Sequence, residues 1–226
     1  MKKKNAKTIL VALGTLAAFA LWTFLIRCVD VQPIGPNGSR VGFAAINGAF
    51  HALTGVHWAL YTLTDWLGLV PIGIALGFAV LGLVQLIRRK SLLKVDRDIL
   101  ILGGFYIVVL AAYLLFETVV INFRPVLIDG KLEASYPSST TMLALCILPT
   151  AMMQLKTRIR GDAVRRAILG ILAAFTVFMV VGRLISGVHW LTDIIGGVLL
   201  SGGLVMLYAF VIKRQGTSRR KSSDTV

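Results

Sequence analysis

Long apolar runs, broken by short polar or basic stretches, dominate the chain. Six of them are long enough to cross ~30 Å of hydrocarbon, at about 8–26, 66–87, 99–120, 141–155, 167–185 and 191–212. The fourth is short and contains Pro149. Between them lie a polar loop (28–65), a basic loop (88–98), a loop with two prolines (121–140), a second basic loop (156–166) and a very short turn (186–190). This pattern predicts an all-α polytopic membrane protein: a six-transmembrane-helix bundle formed by one membrane domain over 1–212. The tail, 213–226, is basic and polar. It is expected to be disordered and to lie against anionic lipid.

Composition agrees. The chain is 57% hydrophobic and 15% charged, with a mean hydropathy of +0.82, whereas soluble domains average about 25% charged residues. The first run follows "MKKKNAK", as a signal peptide would, but it is long for one and no small-x-small cleavage site follows. It is read as a retained first span. Cys28 and Cys146 fit neither a disulfide framework nor a metal-site spacing.

The net charge of +14 could suggest a nucleic-acid partner, but its distribution argues against one. Of the 24 Lys and Arg, 19 fall at the N-terminus (2–7), in 88–97, in 156–166 and in the tail. The other side receives only Arg27, Arg40, Arg124, Lys131 and Arg183. The positive-inside bias therefore predicts cytoplasmic termini and an extracytoplasmic position for these five residues.

The run "GRLISGVHWLTD" (182–193) holds an arginine, a histidine and an aspartate in strongly apolar surroundings. Ionisable residues there are expensive and functional by default. His189 and Asp193, four apart, share a helix face. An aspartate in that place can bind one imidazole nitrogen and leave the other as a lone pair, as a nucleophilic histidine requires. Arg183 offers a planar fork for phosphate oxygens. The bland alternative is a structural polar cluster at the interface. Arg124-Pro125 and "YPSSTTM" (136–142) fall on the same side, the latter at a helix start where hydroxyls and free N–H groups form an anion cradle. These are the parts for phosphoryl transfer through a phosphohistidine. No carboxylate or Cys/His cluster offers a metal site, so no cofactor is expected.

In these residues the chain resembles the type 2 phosphatidic acid phosphatases, whose site is related to that of vanadate haloperoxidases. Their motifs read KxxxxxxRP, PSGH and SRxxxxxHxxxD. Here Arg124-Pro125 matches the first, Pro137-Ser138 the second, and Arg183, His189 and Asp193 the third, over roughly 60–212. The resemblance implies that His189 is the nucleophile and Asp193 orients it. It implies that Arg124, Ser138, the Ser139 N–H and Arg183 hold the phosphoryl oxygens. Three positions depart from it: Glu117 replaces lysine, Thr140 replaces the histidine that protonates the leaving group, and Gly182 replaces serine.

Lys131, in the outer loop, is a candidate for the missing positive charge. His51 and His57 are candidates for a replacement acid if the first outer loop folds over the site. Their "GVHW" (55–58) repeats 187–190, a match short enough to be chance. Glu117 either pairs with an arginine near the site or faces another helix. Trp58, Trp66 and Trp190 read as interface anchors. Gly196, Gly197, Gly202 and Gly203 serve bundle packing or a homodimer. The expected activity is hydrolysis of an outward-facing lipid phosphate or diphosphate at the cell membrane, with an isoprenoid-type diphosphate favoured. The alternative is a family member that has lost catalysis and binds or transports a phosphorylated lipid.

Overall fold

The computed structural model describes the backbone of residues 2–223 and the side chains of residues 6–215. Eight α-helices are found there: α1 (Lys2–Cys28), α2 (Ala44–Thr54), α3 (Trp58–Leu67), α4 (Leu69–Arg89), α5 (Arg97–Thr118), α6 (Ser139–Arg158), α7 (Asp162–Ile185) and α8 (Leu191–Ser223). Five helical stretches are long and apolar enough to cross a membrane: Ala6–Cys28, Trp58–Arg89, Arg97–Thr118, Asp162–Ile185 and Leu191–Gln215. The chain is a multi-pass membrane protein.

The differences from the hydropathy pattern have local causes. The second span begins at Trp58 rather than 66, because α3 bends into α4 at Gly68 and the two form one stretch. The expected polar loop 28–65 contains α2 and most of α3, whose polar residues lower the hydropathy average without breaking the helices. α6 is 20 residues long but not apolar enough to count with the five. Its Ala144, Cys146, Leu148 and Ala151 are fully buried, so it packs against protein and can carry Thr150 and Gln154. The tail expected to be disordered from 213 continues α8 to Ser223, since Lys, Arg and Gln are good helix formers. Residues 224–226 of that tail lie outside the described residues.

Helix direction follows from paired contacts. The Trp22 indole N–H donates to the Thr192 carbonyl at 3.1 Å, and Gly203 lies against Leu16, so α1 and α8 are antiparallel. Ser138 N–H reaches the Asp193 carbonyl (3.1 Å) and Gln154 reaches the Tyr208 hydroxyl (2.6 Å), so α6 runs parallel to α8. Tyr106 meets Thr150 and Asp98 pairs with Arg158, so α5 is antiparallel to α6. One end of the bundle therefore collects the end of α5 and the starts of α6 and α8. The other end carries the Arg89–Asp96 and Arg158–Asp98 ion pairs, at 2.8 and 2.6 Å.

An aromatic group stiffens the first end. Tyr136 stacks on Phe19 (centroids 6.1 Å), meets Phe116 edge-on (6.0 Å) and bonds Thr23 through its hydroxyl (2.7 Å). Its ring lies over Gly196 of α8, and Gly197 faces Thr141 of α6. The small residues of α8 thus face neighbours within the chain. Lower down, an apolar groove of about 720 Å³ opens between α4 and α5, floored by Leu143 and Ile147 of α6.

Candidate active site

Two irregular segments carry the site, the loop between α5 and α6 and the turn between α7 and α8. The loop folds back as a hairpin: Phe123 pairs with Ala134, and Ile128 with Lys131. The turn is pinned to it. The Trp190 indole N–H donates to the Phe123 carbonyl at 2.7 Å, and the Asn122 amide donates to Asp193 Oδ1 at 3.2 Å. Asp193 sits in the first turn of α8, and its Oδ2 accepts the Trp190 N–H at 2.9 Å. That is half of a capping box, and it places a carboxylate at the positive end of the helix.

Gly187 makes the turn possible. Its φ is +71°, and a Cβ there would stand 1.8 Å from the Gly55 carbonyl oxygen. The His57 N–H donates to the Ser186 carbonyl beside it (3.0 Å). The two GVHW stretches therefore pack against each other.

His189 is 2% exposed. Its Nδ1 lies 3.1 Å from the Ser135 carbonyl oxygen, which can only accept, so Nδ1 carries the proton. Nε2 is then a lone pair, lying 3.2 Å from Arg124 Nη1 and 3.5 Å from Arg183 Nη2. The direct hydrogen bond expected from the imidazole to Asp193 is not formed: Asp193 Oδ2 is 3.8 Å from Nδ1. Asp193 instead accepts hydrogen bonds from the Trp190 N–H and the Asn122 amide. Burial lowers the His189 pKa well below the ordinary histidine value, and the charges of Arg124 and Arg183 lower it further. A histidine ¹⁵N NMR spectrum at pH about 6, below the ordinary pKa of about 6.5, should therefore show a neutral Nδ1–H ring for His189. A doubly protonated ring would contradict this geometry.

Both arginines are buried, Arg183 at 1% and Arg124 at 8% exposure. Arg124 Nε lies 3.1 Å from Glu133 Oε2, an ion pair that leaves the Nε–H without an aligned hydrogen bond. Arg183 lies over the Tyr61 ring, 5.0 Å from its centroid. Its Nη1 is 3.4 Å from Thr64 Oγ1 and 3.5 Å from Asp65 Oδ1. Ser138 is the N-cap of α6, yet its hydroxyl makes no capping bond and is buried without a partner. The first N–H groups of α6, including that of Ser139, are those a helix leaves unpaired. Two buried guanidiniums set against a lone-pair nitrogen suit an oxyanion.

Residues 116–216 match the family model described as the PAP2 superfamily. Among solved structures, the chain is similar to one described as the first transmembrane PAP2 type phosphatidylglycerolphosphate phosphatase from Bacillus subtilis. The two share 20% identity, the match covers 91% of this chain and 96% of that one, and the TM-score is 0.54. At that identity the likeness is one of fold. No curated protein matches the chain.

Within the matched segment, Arg124, Arg183, His189 and Asp193 lie together, and Ser138 is tied to Asp193 through its backbone. Gly182 has a steric reason to lack a side chain: a Cβ there would stand 2.8 Å from the Thr64 methyl. Thr140 is half-buried, its methyl near Gly68. Lys131 is exposed at the hairpin tip and, among the described residues, makes no side-chain bond to the site. Glu117 forms no ion pair among the described residues; it lines a shallow crevice with Tyr113, Ser135 and Ser139. The His51 Nε2 faces the Gly187 carbonyl at 3.1 Å, and the His57 Nε2 faces that of Thr54 at 2.9 Å. Neither is bonded to Arg124, Arg183 or His189.

Sequence reasoning missed Tyr61, Thr64, Asp65, Asn122, Glu133 and Ser135. Asp65 carried a usable signal, a carboxylate within an otherwise apolar helical run. The roles of Asn122 and of the Ser135 carbonyl depend on the loop's path and had none.

Proposed function

We propose that the protein is an integral membrane lipid phosphatase that works through a phosphohistidine at His189. The observation that carries this reading is the unprotonated His189 Nε2, set in a fork of two buried guanidiniums. The arginines donate to that lone pair. A phosphoryl group accepts their N–H bonds in its place and leaves Nε2 free to attack phosphorus. Arg124, Arg183, the Ser138 hydroxyl and the Ser139 N–H hold its oxygens as charge builds in the transition state. Attack turns the neutral ring into a phosphoimidazolium whose Nδ1–H remains on the Ser135 carbonyl. Asp193, 3.8 Å away, offsets that positive charge.

The lipid tail occupies the apolar groove between α4 and α5, whose size is typical of ligand cavities (roughly 300–1,000 Å³). The site's place at the bundle end opposite the basic loops supports an extracytoplasmic headgroup. On this reading α6 is a sixth span and both termini are cytoplasmic. A membrane-impermeant thiol reagent should label Arg40→Cys and Lys131→Cys from outside the cell and spare Arg160→Cys. The reverse pattern would put the site in the cytoplasm. The activity is tested by phosphate release from lipid monophosphates and diphosphates.

Thr140 and Glu117 favour a second reading, a phospholipid-binding or transporting protein that keeps the arginines without turnover. That protein would have no use for a nucleophile, so substitution of His189 separates the two readings.

A further inference from the structure

A phosphohistidine must be hydrolysed, and the attacking water needs a base. Guanidiniums cannot act as one, and Thr140 occupies the position where a histidine is expected on the leaving-group side. The helix end that carries Asp65 lies beside that position, Gly68 being next to the Thr140 methyl. Its Oδ1 is 3.5 Å from Arg183 Nη1, and the same guanidinium reaches His189 Nε2 at 3.5 Å through Nη2. Asp65 precedes the bend at Gly68. A Cβ on Gly68 would stand 2.9 Å from the Asp65 carbonyl oxygen and 3.5 Å from the Thr140 methyl, so the bend carrying Asp65 rests on Thr140. The Asp65 side chain is 56% exposed, so water reaches it. Of the other carboxylates near the arginines, Glu133 belongs to the hairpin and is held on Arg124 Nε, and Asp193 is fully buried on the Nδ1 side of the ring.

We propose that Asp65 is the general base for hydrolysis of the phosphohistidine, an inference that rests on the nucleophilic role of His189 proposed above. Water bound by Asp65 forms an O–P bond as the P–Nε2 bond breaks. The bonding pair returns to Nε2, the water proton passes to the Asp65 carboxylate, and from there it goes to solvent. The leaving group of the first step and the water of the second both lie in line with Nε2 across phosphorus, so they use the same side of the site. A carboxylate there removes a proton from water but brings none to a departing alkoxide.

The test is a rapid alkaline quench of the purified protein with farnesyl diphosphate labelled in its terminal phosphoryl group. In Asp65→Asn, label should reach the protein at close to the wild-type rate. Phosphate release should fall by about 10²–10⁴-fold, the usual contribution of a general base, and protein-bound label should accumulate. Asp65→Glu should recover part of the release. If Asp65→Asn slows labelling and release equally, Asp65 only holds Arg183 and the proposal fails. Unchanged release would also overturn it. If wild type releases phosphate but neither protein ever carries label, the phosphohistidine itself is wrong, and this role falls with it.

Discussion

His189→Ala should abolish turnover. Among the described residues, no other side chain presents a lone-pair nitrogen between Arg124 and Arg183, at 3.2 and 3.5 Å, so none of them can take over the attack. Removal of a hydrolase nucleophile costs on the order of 10⁶-fold in kcat. The substitution should spare substrate binding, because both guanidiniums remain. Indeed they lose a hydrogen-bond acceptor and gain freedom to hold phosphate, so affinity for a lipid diphosphate should be kept or raised. Equilibrium binding beside a turnover assay checks both halves. Turnover at the wild-type rate would leave the enzyme reading without its central residue, and would show that another group attacks phosphorus.

The protein should also discriminate strongly between leaving groups. Cleavage of a lipid monophosphate expels an alkoxide, which needs a proton in the transition state. General acid catalysis of that kind is worth about 10²–10⁴-fold. Thr140, with its methyl toward Gly68, cannot supply the proton near neutral pH, because a hydroxyl is too weak an acid. A diphosphate expels a phosphate, whose pKa near ~6 lets it leave as an anion. Isoprenoid-type diphosphates should therefore be cleaved faster than phosphatidic acid-like monophosphates by a large part of that factor. Thr140→His should raise the monophosphate rate and barely change the diphosphate rate. Equal native rates on the two substrates would mean that another residue supplies the proton.

How much of this was legible in the sequence depended on the range of the forces involved. Spans α1, α5, α7 and α8 follow from hydropathy, because lipid contact demands apolar side chains wherever they face out. α6 was harder to bound, since a helix surrounded by protein obeys no such demand and can begin with Ser139-Thr140-Thr141. Convergence of Arg124, Arg183 and His189 was readable because motif spacing and sidedness constrain them together. The link from Asp193 to His189 was read too simply. Spacing put them on one face, but the hairpin brought the Ser135 carbonyl closer and took over Nδ1. The α3 residues behind Arg183 were invisible for the same reason: Tyr61, Thr64 and Asp65 reach it from about 120 residues away.

The most direct measurement is phosphate release by the purified, reconstituted protein from farnesyl diphosphate and from phosphatidic acid, with His189→Ala assayed in parallel. The account predicts release from the diphosphate by the wild-type protein, much slower release from phosphatidic acid, and none from either substrate by the variant. No release by the wild-type protein from either lipid, or equal release by the variant, would contradict it.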